Sequence, residues 1–185
     1  MKRFYPFILL LCLAFVGGSD RLQHNDHNLL TWDDFKGRPD RSSPYFANTA
    51  SGFEFEMELK GDSIIIFLPC YFEKKGSWVK KGQGTAALLA HEQLHFDITE
   101  LHVRKMRQAF INLGSVSLKT VNKNAEKIIK EFSKESSKRQ NQYDKETNHS
   151  IKVQQQVEWE KQIETEMNEL NNFAQPRIAL LINQQ

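Results

Sequence analysis

Cysteine is nearly absent from this 185-residue chain, which has Cys12 and Cys70 and no others. Cys12 falls in "MKRFYPFILLLCLAFVGGSD", where two cations precede an apolar run and small residues follow. That is the pattern of a cleavable secretory signal peptide, assigned to residues 1–18. Leu11 stands where a lipoprotein box carries a small residue, so cleavage is favoured over lipid anchoring through Cys12. After cleavage Cys70 is alone, which excludes an internal disulfide and leaves stability to a packed core or a bound metal. Long hydrophobic runs are missing too. The leader run is shorter than the roughly 20 residues of a membrane-spanning helix, so no integral membrane segment is expected in the mature chain. Nor is there a surplus of charge: losing Lys2 and Arg3 takes the 25 basic residues to 23, equal to the 23 acidic ones. This argues against nucleic acid or an anionic membrane surface as an electrostatic partner. The sequence predicts an exported chain, secreted or periplasmic, whose residues 19–185 form one domain without internal repeats.

What is present divides at Thr85. Before it, residues 20–47 read as irregular, with "LLTW" and the Trp32/Phe35 pair docking the segment onto a core. From Ala50, Phe53, Phe55, Met57 and Leu59 alternate with Glu54, Glu56 and Glu58, the period of a half-buried strand. "KGD" at 60–62 signals a hairpin, and "SIIIFLPCYF" reads as a more buried strand disturbed at Pro69. After Thr85 the character is helical to the end: one helix from Thr85 to about Leu113 with Gly114 as its stop, a second from Ser117 to about Tyr143, a third from Ser150 to about Leu170. Past Phe132, "SKESSKRQNQ" has no apolar residue and reads as a solvated extension. The expected fold class is α+β, a small antiparallel sheet followed by three helices.

Within the first helix lies "LLAHEQLHFDITE". His91 and His95, about 40° apart in projection and one turn along, can present imidazoles to one Zn²⁺. Glu92, about 100° round from His91, lies beside such an ion and can act as a general base. The metal would lower the pKa of a water toward about 7 and polarise a carbonyl. A chance H-E-x-x-H is the competing reading. Against it stand the surrounding helical pattern, the apolar "AALLA" that buries its first turn, and the export signal.

A catalytic zinc wants a third protein ligand. Asp97 falls on the opposite face, about 200° from His95, and His102 lies about 10.5 Å further along the axis. Leu101 stands where an extended motif would need a histidine. Glu100 is better placed to orient a neighbour. His24 and His27 sit near the new N-terminus, where disorder is expected. "YDKETNHS" (143–150) is rich in site chemistry. His149 is the expected third ligand with Glu146 as alternative, and Tyr143 is a candidate donor to the oxyanion of a tetrahedral intermediate. The competing reading of that segment is a solvated loop between helices.

These segments resemble a family: the bacterial predicted secreted zinc-dependent proteases, long catalogued as a domain of unknown function. "LTWDDFKG" (30–37), "ANTASG" (47–52), "SWV" (77–79), "LLAHEQLHFDITELHVRKMR" (88–107) and "YDKETNHS" resemble its blocks in order. Leu94 and Ser150 stand where the family carries small residues, usually glycine at the first and glycine at the second. The resemblance implies a zincin-like fold, Zn²⁺ as cofactor and a peptide or protein substrate. The expected activity is hydrolysis of peptide or related amide bonds, with zinc on His91, His95 and His149 and Glu92 as base. The alternative is a non-catalytic envelope protein stabilised by a closed zinc site, with Asp144 or Glu146 as a fourth ligand. An extended substrate could pair with an edge strand in "SGFEFEMELK" or "SIIIFLPCYF".

Overall fold

The computed structural model describes residues 20–24 and 29–183. The leader at 1–18, with Cys12, and His27 lie outside them. In chain order the strands are β1 (Arg21–Gln23), β2 (Ala47–Asn48), β3 (Ser51–Phe53), β4 (Glu56–Lys60), β5 (Ser63–Phe67), β6 (Cys70–Glu73) and β7 (Trp78–Val79). Then come α1 (Ala86–Ile111), β8 (Ser115–Val116), α2 (Val121–Thr147), α3 (Val153–Glu169) and β9 (Arg177–Ile182). The class is α+β, but the strands form three small sheets: β1-β6-β3, β2-β7 and β4-β5-β9-β8. All pairings are antiparallel except β8 with β9.

Two breaks explain why one expected sheet becomes several. The alternating stretch from Phe53 to Leu59 divides near Glu54, so that β3 joins β6 while β4 joins β5. Opposite that break, Pro69 separates β5 from β6, since it has no N–H to continue a ladder. The β4–β5 hairpin turns at Gly61, whose φ of 63° suits glycine. Helical character does not persist to the end. Arg177–Ile182 forms β9, with Ile178 and Leu180 buried and Ala179 and Leu181 outward. The five-residue apolar run Ile178–Ile182 fits either period by sequence.

α1 is the centre of the molecule. Thr85 caps it, its hydroxyl accepting from Leu88 N–H at 3.1 Å. One flank, with Phe96, Val103, Met106 and Phe110, packs on Ile64, Ile66, Leu68 and Phe72 of the sheets. The other, with Leu94, Ile98 and Leu101, packs on Tyr143, Trp159 and Ile163 of α2 and α3. Burial on both sides is why α1 also hides Glu100, Arg104 and Arg107, each within 3% of full burial. Arg107 donates to the carbonyls of Leu68, Phe173 and Ala174 and to Glu100. It thereby ties the start of β6 to the segment leading into β9.

The N-terminal segment docks where "WDDFKG" meets the β6–β7 loop. Phe35 stacks edge-on against Phe72, and Gly37 N–H reaches Ser77 O at 2.7 Å. A Cβ at Gly37 would stand 2.7 Å from two backbone oxygens, Lys75 O and Ser77 O, so only glycine fits there.

Candidate metal centre

α1 and α2 run antiparallel, so His91 faces Asp144 and His95 faces Gln140. His91 and His95 Nε2 are 3.2 Å apart, and Asp144 Oδ1 lies 3.2 Å from the first and 3.0 Å from the second. These three atoms are the group of potential metal donors among the described residues. A tetrahedral ion with bonds of about 2.0–2.1 Å has ligand-to-ligand edges of about 3.3–3.4 Å, close to this triangle.

The surrounding hydrogen bonds decide what these atoms carry. Gln140 Nε2 donates to His95 O at 2.8 Å, which turns its Oε1 to His95 Nδ1 at 2.5 Å. Gln156 Nε2 donates to Glu160 at 2.9 Å, which turns its Oε1 to His91 Nδ1 at 3.2 Å. An amide oxygen only accepts, so each Nδ1 is the N–H and each Nε2 is left with a lone pair. Two lone pairs and a carboxylate oxygen then converge with no hydrogen of their own between them, an arrangement that either a metal ion or protons on the imidazoles can satisfy. The titration directions express the same field. Burial works against the charged form of His95, but Asp144 and Glu92 outweigh it and raise its pKa above the ordinary value. Where the imidazoles are protonated, Nε2 donates instead: burial opposes ionisation of Asp144, yet hydrogen bonds from His91 and His95 then hold it well below the usual carboxylate range.

Glu92 is 4% exposed, and its Oε2 has no hydrogen-bond partner among the described residues. It lines a cavity of about 880 Å³ together with His91, His95 and Asp144. A buried carboxylate oxygen left unpaired beside a cavity is costly unless something from solvent or a ligand meets it.

The other expected site residues lie outside the donor group, although His149 lines the same cavity. His149 does not join the donor group. Its Nδ1 is 3.3 Å from Asp144 Oδ1, its side chain is 41% exposed, and its ring leans on Tyr45. α2 ends before His149, and Asn148, His149 and Ser150 all have positive φ, at 49°, 51° and 73°. That run ends α2 after Thr147, and at Ser150 it explains why a glycine suits the position. Glu146, the alternative, accepts from Trp159 Nε1 at 2.8 Å on the outside of α2. Tyr143 is fully buried and donates to Gln156 Oε1 at 2.6 Å, its ring stacked on His91. It supports the histidine from behind and is not an oxyanion donor on the cavity. Glu100 does not orient a metal neighbour; it holds Arg104 and Arg107. Asp97 does lie on the far face, accepting from Gln93 and paired with His24, which is docked and 5% exposed, not loose. His102 bonds Ile98 O through Nδ1, further along the cavity.

Gln140 and Gln156 are the residues that spacing alone missed, and Asp144 was expected only as a fourth ligand of a closed site. A signal did exist for the first: Gln140 and Asp144 are four apart, the same interval as His91 and His95, which places both on one face if the helix runs past Tyr143. No comparable signal marks Gln156.

Fold and site together define an α+β chain with a His–His–Asp donor group and an unpaired buried glutamate on one cavity. Residues 73–150, which span every one of these donors, match the family described as "Bacterial protein of unknown function (DUF922)". No curated protein and no solved structure matches the chain. Among the described residues, no helix is long and apolar enough to cross a membrane.

Proposed function

We propose that this chain is an exported, zinc-dependent hydrolase of peptide or related amide bonds, zincin-like in its helix-borne motif. The observation that carries the reading is the pairing of three converging lone-pair donors with the unpaired Glu92 carboxylate on one cavity wall. His91, His95 and Asp144 would hold the ion, a nitrogen–nitrogen–oxygen set suited to Zn²⁺. When bound, zinc supplies Lewis acidity, lowering the pKa of a water toward about 7 and polarising the scissile carbonyl. Glu92 Oε2 accepts the proton of the attacking water and returns it to the leaving nitrogen. Gln140 and Gln156 keep the imidazoles in the ligating tautomer. β3 is the edge strand on the cavity, which favours Ser51–Phe53 as the segment that pairs with an extended substrate.

The non-catalytic alternative requires a coordination shell closed by protein. The cavity and the free Glu92 oxygen favour the enzyme, because a purely structural site has no use for a base. The test measures zinc content and cleavage of a mixed peptide library for wild type and Glu92→Gln. Zinc in both with cleavage only by wild type supports the enzyme; zinc in both and cleavage by neither supports the structural site. Asp144→Ala should abolish stoichiometric zinc while His149→Ala retains it, and the reverse pattern would restore His149 as ligand.

A further inference from the structure

The cavity extends well beyond the donors. Its α1 floor runs from Ala87 to Met106, roughly 29 Å at about 1.5 Å per residue. The donors sit off-centre. From His95 to Met106 there is about 16 Å, enough for about five residues of extended chain, whereas from His91 back to Ala87 there is about 6 Å, enough for about two. One wall is the free edge of β3. Glu73 N–H donates to Ala50 O and Glu54 N–H to Pro69 O, at 2.8 and 3.1 Å. With Gly52 opposite Tyr71, the even-numbered residues bond to β6. Ser51 and Phe53 therefore turn their backbone N–H and C=O groups to the open edge. The long arm is floored by Val103 and Met106 beside Phe53, with the short side chains of Ser133 and Ser136 of α2 across from them.

The charges on the lining are as informative as its shape. Among the described residues that line the cavity, none is Lys or Arg, and the only carboxylates are Glu92 and Asp144. An enzyme that removes C-terminal residues needs a cation to hold the terminal carboxylate, and one that removes N-terminal residues needs an acceptor for the amine. Both carboxylates here are committed to the donor group and the base. His102, in the long arm, has its pKa lowered, chiefly by burial, so it adds no charge there at neutral pH.

Resting on the hydrolase reading, we infer that the site takes an internal, extended stretch of polypeptide with no terminus in the cavity, and that residues on the Met106 side of the cleaved bond must be uncharged and apolar. β3 supplies register through backbone pairing, and the arm supplies selection by refusing charges it cannot pair.

The experiment uses the mature, zinc-loaded Glu92→Gln protein and fluorescent decapeptides blocked as N-acetyl and C-amide, with binding read by anisotropy. A blocked peptide rich in Leu and Phe should bind, and Asp or Lys in the arm-facing half should weaken it at least about tenfold. Ser136→Trp, on a half-exposed helix surface, should fill the arm and weaken binding by a similar factor, with zinc content and thermal midpoint unchanged. Ser133→Asp should shift preference toward Lys-bearing peptides. The inference is overturned if peptides with free termini bind markedly better than blocked ones, if neither serine variant alters affinity, or if no peptide binds. Wild type cutting terminal residues only would overturn it and leave the hydrolase reading standing. Binding that follows the arm variants, with no cleavage by wild type, would sustain the groove and sink the hydrolase.

Discussion

α1 carries two clusters of buried polar groups, one at each end of its middle stretch. Around Glu100, Arg104 and Arg107, two guanidinium groups meet a carboxylate and four backbone carbonyls. Around His91, Glu92 and His95, lone pairs face one another and one carboxylate oxygen has no partner. His91 and Glu92 are as hidden from water as the first cluster, while His95 and Asp144 are partly exposed. The clusters differ in whether the protein completes its own bonding: the first is closed and acts as a rivet, the second is left open toward a cavity. Burial of charge alone thus does not single out a site, whereas burial with incomplete bonding beside a cavity leaves groups for a ligand to meet.

Variants can test how deep that contrast goes. Arg107→Ala should have the largest effect, destabilising by about 3–5 kcal/mol because Glu100 is left buried and less than fully compensated. A denaturant midpoint measures it, and zinc bound per folded molecule should not change. Next, zinc at about 100 times its Kd should stabilise the protein by about 2.7 kcal/mol, and Asp144→Ala should remove that gain. A thermal shift that survives in Asp144→Ala would erase the distinction between the clusters. Gln140→Ala should weaken zinc binding by about 10–100-fold through lost control of the His95 tautomer, read by competition with a chelating dye. The smallest change is the most diagnostic: Glu92→Gln in the metal-free protein should keep stability within about 1 kcal/mol of wild type or raise it, since a neutral amide is easier to bury than an unpaired carboxylate. A loss as large as that of Arg107→Ala would mean that Glu92 is structural.

Much of this was open to reading from residues alone. The interval of His91, Glu92 and His95 survives any error in helix boundaries, because one turn of helix carries it all. The α+β class followed from the change of period at Thr85. The third donor was harder. Its segment was legible, but the choice between Asp144 and His149 depends on where α2 stops, and element ends are the least determined feature of a sequence. The polar run after Phe132 misled for a related reason: Ser133, Ser136 and Gln140 face a cavity, where polar residues look the same as on a solvated surface. β9 was hidden because its partner β5 lies more than a hundred residues earlier, and no local pattern records such a pairing.

That distant pairing has a consequence in time. β9 is an inner strand, flanked by β5 and β8, and Arg107 reaches the carbonyls of Phe173 and Ala174 just before it. A chain that emerges from its N-terminus presents the histidine-bearing helix long before the strand and carbonyls that clamp it. Loop closure over that span is slow compared with helix formation. Closure of the sheet and of the Arg107 cluster is therefore scheduled last, and a nascent chain would carry its motif on a helix whose far end is not yet clamped.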